Sequence, residues 1–322
     1  MDKVKIGMIG AGTHSMKVHY PSLAEFEDAE IVAVSELDAQ RRATAAAHFH
    51  IRDTFKDYKE MLADVEMDAV YIIMRPYLLL DIVLYALEQK KHIFIEKPPG
   101  VSADQTRQMA QAAKDAGVLT MVGFNRRFIP VMAEAKRQVE ERGPIFLAVA
   151  SFYKNMAGRA PYWPEAGVDV LTADAIHCVD ALRWMAGEPS EVTSITARHH
   201  SDWTNTFNAL IEFQSGSIGI LKTHYGAGAR IHIFEMHSLD ISALINPDVE
   251  ALIYRDGQGQ PDVLDASGFA GSGEFYKYYG FYAENRYFVD CIKEGRQPMT
   301  NFADALLTME LVDWIRTGER PS

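Results

Sequence analysis

The sequence predicts an α/β chain of two domains: a doubly wound parallel-sheet domain first, then a domain richer in consecutive strands. Three observations predict this. Strand and helix patterns alternate through the first third of the chain. A Gly-x-Gly turn follows the first strand, and an acidic residue ends the second. After Gly123 the alternation stops, and strand-like runs follow one another at short spacing.

Val4, Ile6, Met8 and Ile9 read as a buried strand, almost at the start of the chain. Gly10, Ala11 and Gly12 then turn the backbone, and Thr13, His14 and Ser15 lead into a helix over 17–26. Glycines permit a sharp turn and a close approach to a pyrophosphate, to which the helix N-terminus offers free N–H groups. Ser15 stands where the third glycine of a dinucleotide fingerprint would be, and it is small enough for close helix–strand packing. Residues 31–34 form the second strand, and Asp38 caps a helix from Arg41 to Phe49. Further strands are predicted over 69–73, 92–95 and 118–122, with a helix over 78–89. Ser102 and Gln105 open another helix as a capping box, and Gly117 closes it. These repeats imply a parallel sheet covered on both faces.

Beyond Gly123 a helix is predicted over 130–141, a strand over 145–152 and an amphipathic helix over 172–186. Strands follow over 191–197, 206–213, 217–224 and 230–236, suggesting an antiparallel or mixed sheet. The last helix, 301–316, has Thr300 as its cap candidate and Gly318 beyond its end. The expected domains are 1–123, binding a dinucleotide, and 124–322, binding substrate and forming oligomers. Helix 301–316 is a candidate to pack back near the first domain.

Composition narrows the function. Apolar residues make up 48% of the 322, enough for a large core. Lys and Arg number 32 against 44 Asp and Glu, a net charge of −12, which argues against nucleic acid or an anionic membrane as partner. The only cysteines, Cys178 and Cys291, have no metal-like spacing, so a reducing, cytoplasmic setting is expected. Met1-Asp2-Lys3 leads straight into the first strand, so no signal peptide is expected. The apolar stretch over 70–87 is broken by Arg75, Pro76 and Asp81, and reads as strand, turn and helix rather than a membrane span.

Glu36 follows Gly12 by 24 residues and ends the second strand, where a carboxylate accepts hydrogen bonds from an adenosine ribose. It would repel a 2′-phosphate and so favours NAD. Arg41, on the next helix, could pair with that phosphate, which leaves NADP open. Glu96-Lys97-Pro98 follows a strand directly, at the sheet edge where ligands bind. A lysine there can bond a substrate hydroxyl or shuttle a proton. Asp174 and His177 share a helix face at i,i+3 spacing, and the nearby helix N-terminus favours the neutral imidazole that a base needs. His177 with Asp180, and His199, His200, His224, His232 and His237, invite a metal, yet none forms a recognised closed ligand set. No metal is expected.

The chain resembles the Gfo/Idh/MocA oxidoreductases (glucose–fructose oxidoreductase, inositol dehydrogenase and relatives). The resemblance rests on Ile9-Gly10-Ala11-Gly12, Glu96-Lys97-Pro98, Gly123-Phe124-Asn125-Arg126-Arg127-Phe128 and Ile176-His177-Cys178-Val179-Asp180, and it spans almost the whole chain. It implies an N-terminal Rossmann domain and a C-terminal α/β domain on a large, mostly antiparallel sheet. It implies homodimers or homotetramers through that sheet. Carried over by position, Lys97 and His177 match the family's catalytic pair, and Glu96 and Lys97 line its nicotinamide pocket. Asn125, Arg75 and Pro76 fall at cofactor-contacting positions. Three departures stand out. Ala173 occupies the place of a common aspartate, with Asp174 adjacent. Arg75-Pro76 replaces a Thr-Pro turn, and Leu80 replaces a histidine.

The expected activity is hydride transfer between NAD(P) and a sugar, cyclitol or related polyol. Lys97, His177 and Asp174 carry the chemistry, and Tyr153, Arg159 and Trp163 help to bind the sugar. The alternatives are an NAD-dependent glycosidase acting by transient oxidation, and a non-catalytic nucleotide- or sugar-sensing regulator.

Overall fold

The computed structural model describes residues 3–321. They fold as two compact units. The first holds the residues up to Asn125 together with Phe275–Leu306, and the second holds Arg126–Glu274 and the residues from Leu307 on. The segment 275–306 thus adds to the N-terminal unit, whereas the expected ranges were 1–123 and 124–322.

In the first unit six strands alternate with helices: β1 Val4–Ile9, α1 Thr13–Ala24, β2 Ala29–Ser35, α2 Ala39–Phe49, β3 Asp53–Phe55, α3 Tyr58–Asp64, β4 Ala69–Ile72, α4 Leu79–Glu88, β5 His92–Glu96, α5 Ala103–Ala116 and β6 Thr120–Gly123. The strands are all parallel and lie in the order β3-β2-β1-β4-β5-β6. Strand order reverses between β1 and β4, so the crevice for a ligand opens at the carboxyl ends of these strands. Every residue of β4 is buried, as a central strand covered on both faces requires.

Local chemistry explains the helix limits. Asp38 accepts a hydrogen bond from Arg41 N at 2.9 Å to cap α2. Ser102 accepts from Gln105 N at 3.3 Å, while the Gln105 side chain bonds Val101 N at 3.0 Å, one residue before the reciprocal partner of a capping box.

The second unit opens with α6 Pro130–Glu140 and β7 Leu147–Asn155. The single helix expected over 172–186 is in fact a π-helical turn, Leu171–Ala175, followed by α7 Ile176–Ala186. Next come β8 Pro189–Ala197, β9 Thr206–Phe213, β10 Ile218–His224, β11 Gly226–Ser238, β12 Ile241–Asn246, β13 Glu250–Arg255, β14 Asp262–Asp265 and the short α8 Ala266–Phe269. The sheet runs β14-β13-β12-β11-β7-β10-β9-β8 and is antiparallel except between β7 and β10. Along β9, Phe207, Ala209, Ile211 and Phe213 are buried while Asn208, Leu210 and Glu212 are exposed. Helices α6 and α7 lie on one face. Ile195, Leu210, Ile231 and Val263 are exposed apolar side chains of the same sheet.

The chain then supplies α9 Phe275–Tyr278 and α10 Phe281–Glu294 to the first unit, where α10 packs on α1. Phe288 of α10 meets Tyr71 edge-on, and Tyr71 stacks on Phe94 at 4.5 Å. The last helix, α11, spans Phe302–Thr317. Its cap is Asn301, not Thr300: the Asn301 side chain accepts from Ala303 N and Asp304 N at 3.0 and 3.2 Å, while Thr300 is wholly buried. Among the described residues no helix is long and apolar enough to cross a membrane.

Candidate active site

In the first unit the glycine turn sits at the carboxyl end of β1. Gly10 has φ of 102°, and a Cβ there would stand 2.5 Å from the Ile73 carbonyl oxygen, so only glycine fits. Gly12 differs. It is the N-cap of α1, and a Cβ there would meet nothing within 4 Å. No side-chain group occupies that cap, so the first N–H groups of α1 remain available to an anion. The space over Gly12 and the open helix end fit a pyrophosphate. Ser15 is buried, and its hydroxyl donates to the carbonyls of Gly10 and Gly12 at 3.2 and 3.0 Å. Its replacement of glycine therefore leaves no polar group unsatisfied and ties the turn to the helix.

Glu36 ends β2 beside this turn. Its Oε2 accepts from Ala11 N at 2.9 Å. Its Oε1 accepts from Asp38 N and from Arg41 Nη2, both at 3.0 Å. Burial acts to raise its proton affinity. The Asp38 and Ala11 amides and then Arg41 outweigh it, so the carboxyl lies below its ordinary value. Arg41 is therefore engaged by the carboxylate that sequence reasoning set against it.

At the end of β5, Glu96 is buried and accepts three hydrogen bonds. Its Oε1 faces His14 Nε2 at 3.0 Å and His19 Nε2 at 2.9 Å, and its Oε2 accepts from Lys97 N at 3.1 Å. Desolvation opposes the charged form, yet the two imidazoles hold the carboxyl well below the usual range. Lys97 is half-buried in the turn this carboxylate fixes. Pro76 opens a 3₁₀ turn, and exposed Arg75 bonds the Tyr77 hydroxyl at 2.7 Å. Asn125 is buried and donates to the Tyr279 carbonyl at 2.8 Å.

The second unit holds Asp174 and His177. Asp174 lies in the π-helical turn, and His177, 5% exposed, in the first turn of α7. Asp174 Oδ2 accepts from Lys154 Nζ at 2.5 Å and from the Tyr225 hydroxyl at 3.2 Å. Lys154 also lies 3.3 Å from the Tyr162 hydroxyl. Strand alternation explains why Lys154 joins this group. Phe152 and Lys154 project from β7 toward the α7 side, where His232, the register partner of Phe152, lies 3.4 Å from Cys178 of α7. Tyr153 therefore faces the other side of the sheet, beside exposed Ile231, and does not join Asp174. The Trp203 indole donates to the Arg159 carbonyl at 3.1 Å, and both residues line a cleft of about 700 Å³ with His199, His224 and Tyr225. Tyr225 touches both the cleft and Asp174. Trp163, with φ of 46°, is half-buried and does not line that cleft.

Sequence reasoning missed Lys154, Tyr225 and His19. Lys154 carried little signal: it lies past the strand expected over 145–152, and Ala148 to Phe152 are buried on both faces of β7.

The strand order, the open glycine turn and the acidic end of β2 define a dinucleotide-binding α/β protein. The chain belongs to the Gfo/Idh/MocA oxidoreductases: residues 4–124 match the family's NAD-binding Rossmann fold, and residues 132–237 match its C-terminal domain. It is 27% identical to a scyllo-inositol 2-dehydrogenase (NAD(+)) of Bacillus subtilis over 88% of this chain and 84% of that one. It is 24% identical to a myo-inositol 2-dehydrogenase of Thermotoga maritima over 96% and 94%. Two solved structures share the fold. A dehydrogenase from Chromobacterium violaceum has a TM-score of 0.89 at 24% identity, covering 99% of this chain and 96% of that one. A levoglucosan dehydrogenase bound to NADH and levoglucosan has a TM-score of 0.86 at 23% identity, covering 98% and 96%.

Proposed function

We propose that this protein is a dehydrogenase or reductase of a sugar, cyclitol or related polyol that prefers NAD over NADP. The observation that carries the reading is Lys97. It stands at the carboxyl end of β5, in a turn that the buried Glu96 carboxylate holds, within an NAD-binding Rossmann fold. The names of the inositol dehydrogenases and of levoglucosan dehydrogenase support the substrate class.

NAD, when bound, supplies the acceptor for the hydride that leaves the carbinol carbon. In that direction His177 has the proposed role of base for the hydroxyl proton, and Lys97 that of a hydrogen-bond donor to substrate. Asp174, paired with Lys154, binds a neighbouring hydroxyl or orients the base. Glu36 receives the adenosine ribose, and the N-terminus of α1 receives the pyrophosphate. The exposed apolar residues of the second sheet, Ile195, Leu210, Ile231 and Val263, support self-association of the chain as a homodimer or homotetramer.

The test is a panel of sugars, cyclitols and polyols with NAD and NADP, read by absorbance of the reduced nicotinamide. Lys97→Ala and His177→Ala are each expected to slow single-turnover reduction about 100-fold or more while sparing nucleotide affinity. Near-normal turnover in both variants would overturn the assignment.

A further inference from the structure

His14, His19 and Glu96 form a compact cluster inside the first unit. One ligand atom from each lies within 4.8 Å of the other two. Both imidazoles aim Nε2 at the same carboxylate oxygen, at 3.0 and 2.9 Å. We propose that these three side chains bind a divalent transition-metal ion of zinc's class.

The donor set sets the class. Two imidazoles and one carboxylate suit zinc, cobalt or nickel, and are poor for magnesium or calcium, which take oxygen ligands. Zinc holds nitrogen and oxygen ligands at about 2.0–2.2 Å, so tetrahedral ligands stand roughly 3.3 Å from one another. The imidazole–carboxylate separations are a few tenths of an ångström shorter than that. An ion enters once each imidazole carries its proton on Nδ1 instead of Nε2, so that both Nε2 lone pairs face the ion, with a small outward shift of the rings.

The surroundings are those of a supported ligand set. His19 is fully buried, and its Nδ1 lies 3.3 Å from Asn285 Oδ1, the acceptor that an Nδ1–H needs when Nε2 ligates an ion. The second oxygen of Glu96 is held by Lys97 N. Phe281 meets the His14 and His19 rings edge-on, at 5.4 and 6.1 Å. The His14 side chain is 48% exposed, so one side of the cluster is open to a fourth ligand such as water. The ligands stand on a helix and a strand end, which restrict their movement. The proposal concerns ion binding and does not depend on the reaction assigned above.

Calorimetric titration of zinc chloride into the full chain without nucleotide tests it, in a non-coordinating buffer. One ion per chain is expected, with a dissociation constant on the order of 1 µM or tighter. His14→Ala removes a half-exposed ring and should leave the fold intact by circular dichroism while weakening binding at least about 30-fold. Glu96→Gln should weaken it as well. Cobalt(II) should give visible ligand-field absorption in the natural chain and lose it in His14→Ala. Binding weaker than about 100 µM, or tight binding that His14→Ala leaves unchanged, would show that the cluster is a hydrogen-bond network alone.

Discussion

Lys154 Nζ and Asp174 Oδ2 stand 2.5 Å apart, with the two side chains only 21% and 11% exposed. The pair exists because β7 alternates its side chains and because Asp174 lies in the π-helical turn before α7. Lys154→Met keeps the stem that passes Phe152 and removes the charge. With the dehydrogenase assignment, it is expected to lower kcat about 10–100-fold, and Lys154→Arg should restore part of the loss. NADH affinity should stay within a factor of about three, since Lys154 has no proposed role in binding the nucleotide. Steady-state kinetics beside a fluorescence titration measure both. Unchanged kcat would make the pair purely structural.

The two glycines of the turn should respond in opposite ways. Gly10→Ala places a Cβ 2.5 Å from a backbone oxygen at a positive φ, and should destabilise the fold by about 2 kcal/mol or more. Gly12→Val fills open space, so the melting temperature should hold while dinucleotide binding is lost. Thermal unfolding and calorimetry on both variants separate the effects. Wild-type NADH affinity in Gly12→Val would move the phosphate site away from this turn.

Glu36 carries a second expectation. Its carboxylate already accepts from two backbone amides and Arg41, so it is fixed before any ribose arrives. Glu36→Ala should cost NAD binding about 1–3 kcal/mol and free Arg41, narrowing the preference for NAD over NADP. Titration of both nucleotides reads the ratio. A clear NADP preference in the natural protein would reverse the roles given to Glu36 and Arg41.

The parallel domain was legible because its signals are local. Asp38, Ser102 and Gly117 mark helix ends by their own chemistry, and the structure uses each of them there. Long-range partners were not legible. Nothing near Glu96 in sequence announces His14 and His19, which are 82 and 77 residues away. The π-helical turn was hidden as well, because 172–186 keeps a helical apolar period whichever ladder the backbone forms. Tyr153 is expected at the sugar for its ring, whereas the structure brings its neighbour Lys154 to Asp174. The side of β7 on which each side chain falls is set by the pairing with β11, a long-range register that the sequence does not show.

Inside the second unit Arg127 grips Asp180 through Nε to Oδ2 at 2.9 Å and Nη2 to Oδ1 at 2.6 Å, with both side chains buried. Thr308 also donates to Oδ1, at 3.1 Å. Asp180→Ala would remove both hydrogen bonds that the buried Arg127 guanidinium makes to this carboxylate, and should destabilise the protein by about 3–5 kcal/mol. Urea unfolding measures it. A loss under about 1 kcal/mol would mean that water or another carboxylate replaces Asp180.

The acid limb of stability should carry a signature of Asp28. Its Oδ1 lies 2.6 Å from Arg286 Nη1, and its Oδ2 pairs with Lys293. The hydrogen bonds from Arg286 and then Lys293 hold the carboxyl down to about 2, well under its usual value near 4. A carboxyl with a depressed folded value contributes stability at pH above its unfolded value, and loses that contribution as pH falls toward the folded one. Asp28→Asn should therefore destabilise the protein by about 1 kcal/mol at pH 7, the size expected for a partly exposed network. The gap from the natural protein should stay constant down to about pH 5 and narrow below about pH 4 as the unfolded chain binds its proton first. Denaturant titrations of both proteins at several pH values from 7 to 3 give the curve. A gap that is flat with pH, or that widens in acid, would remove Asp28 from the acid transition.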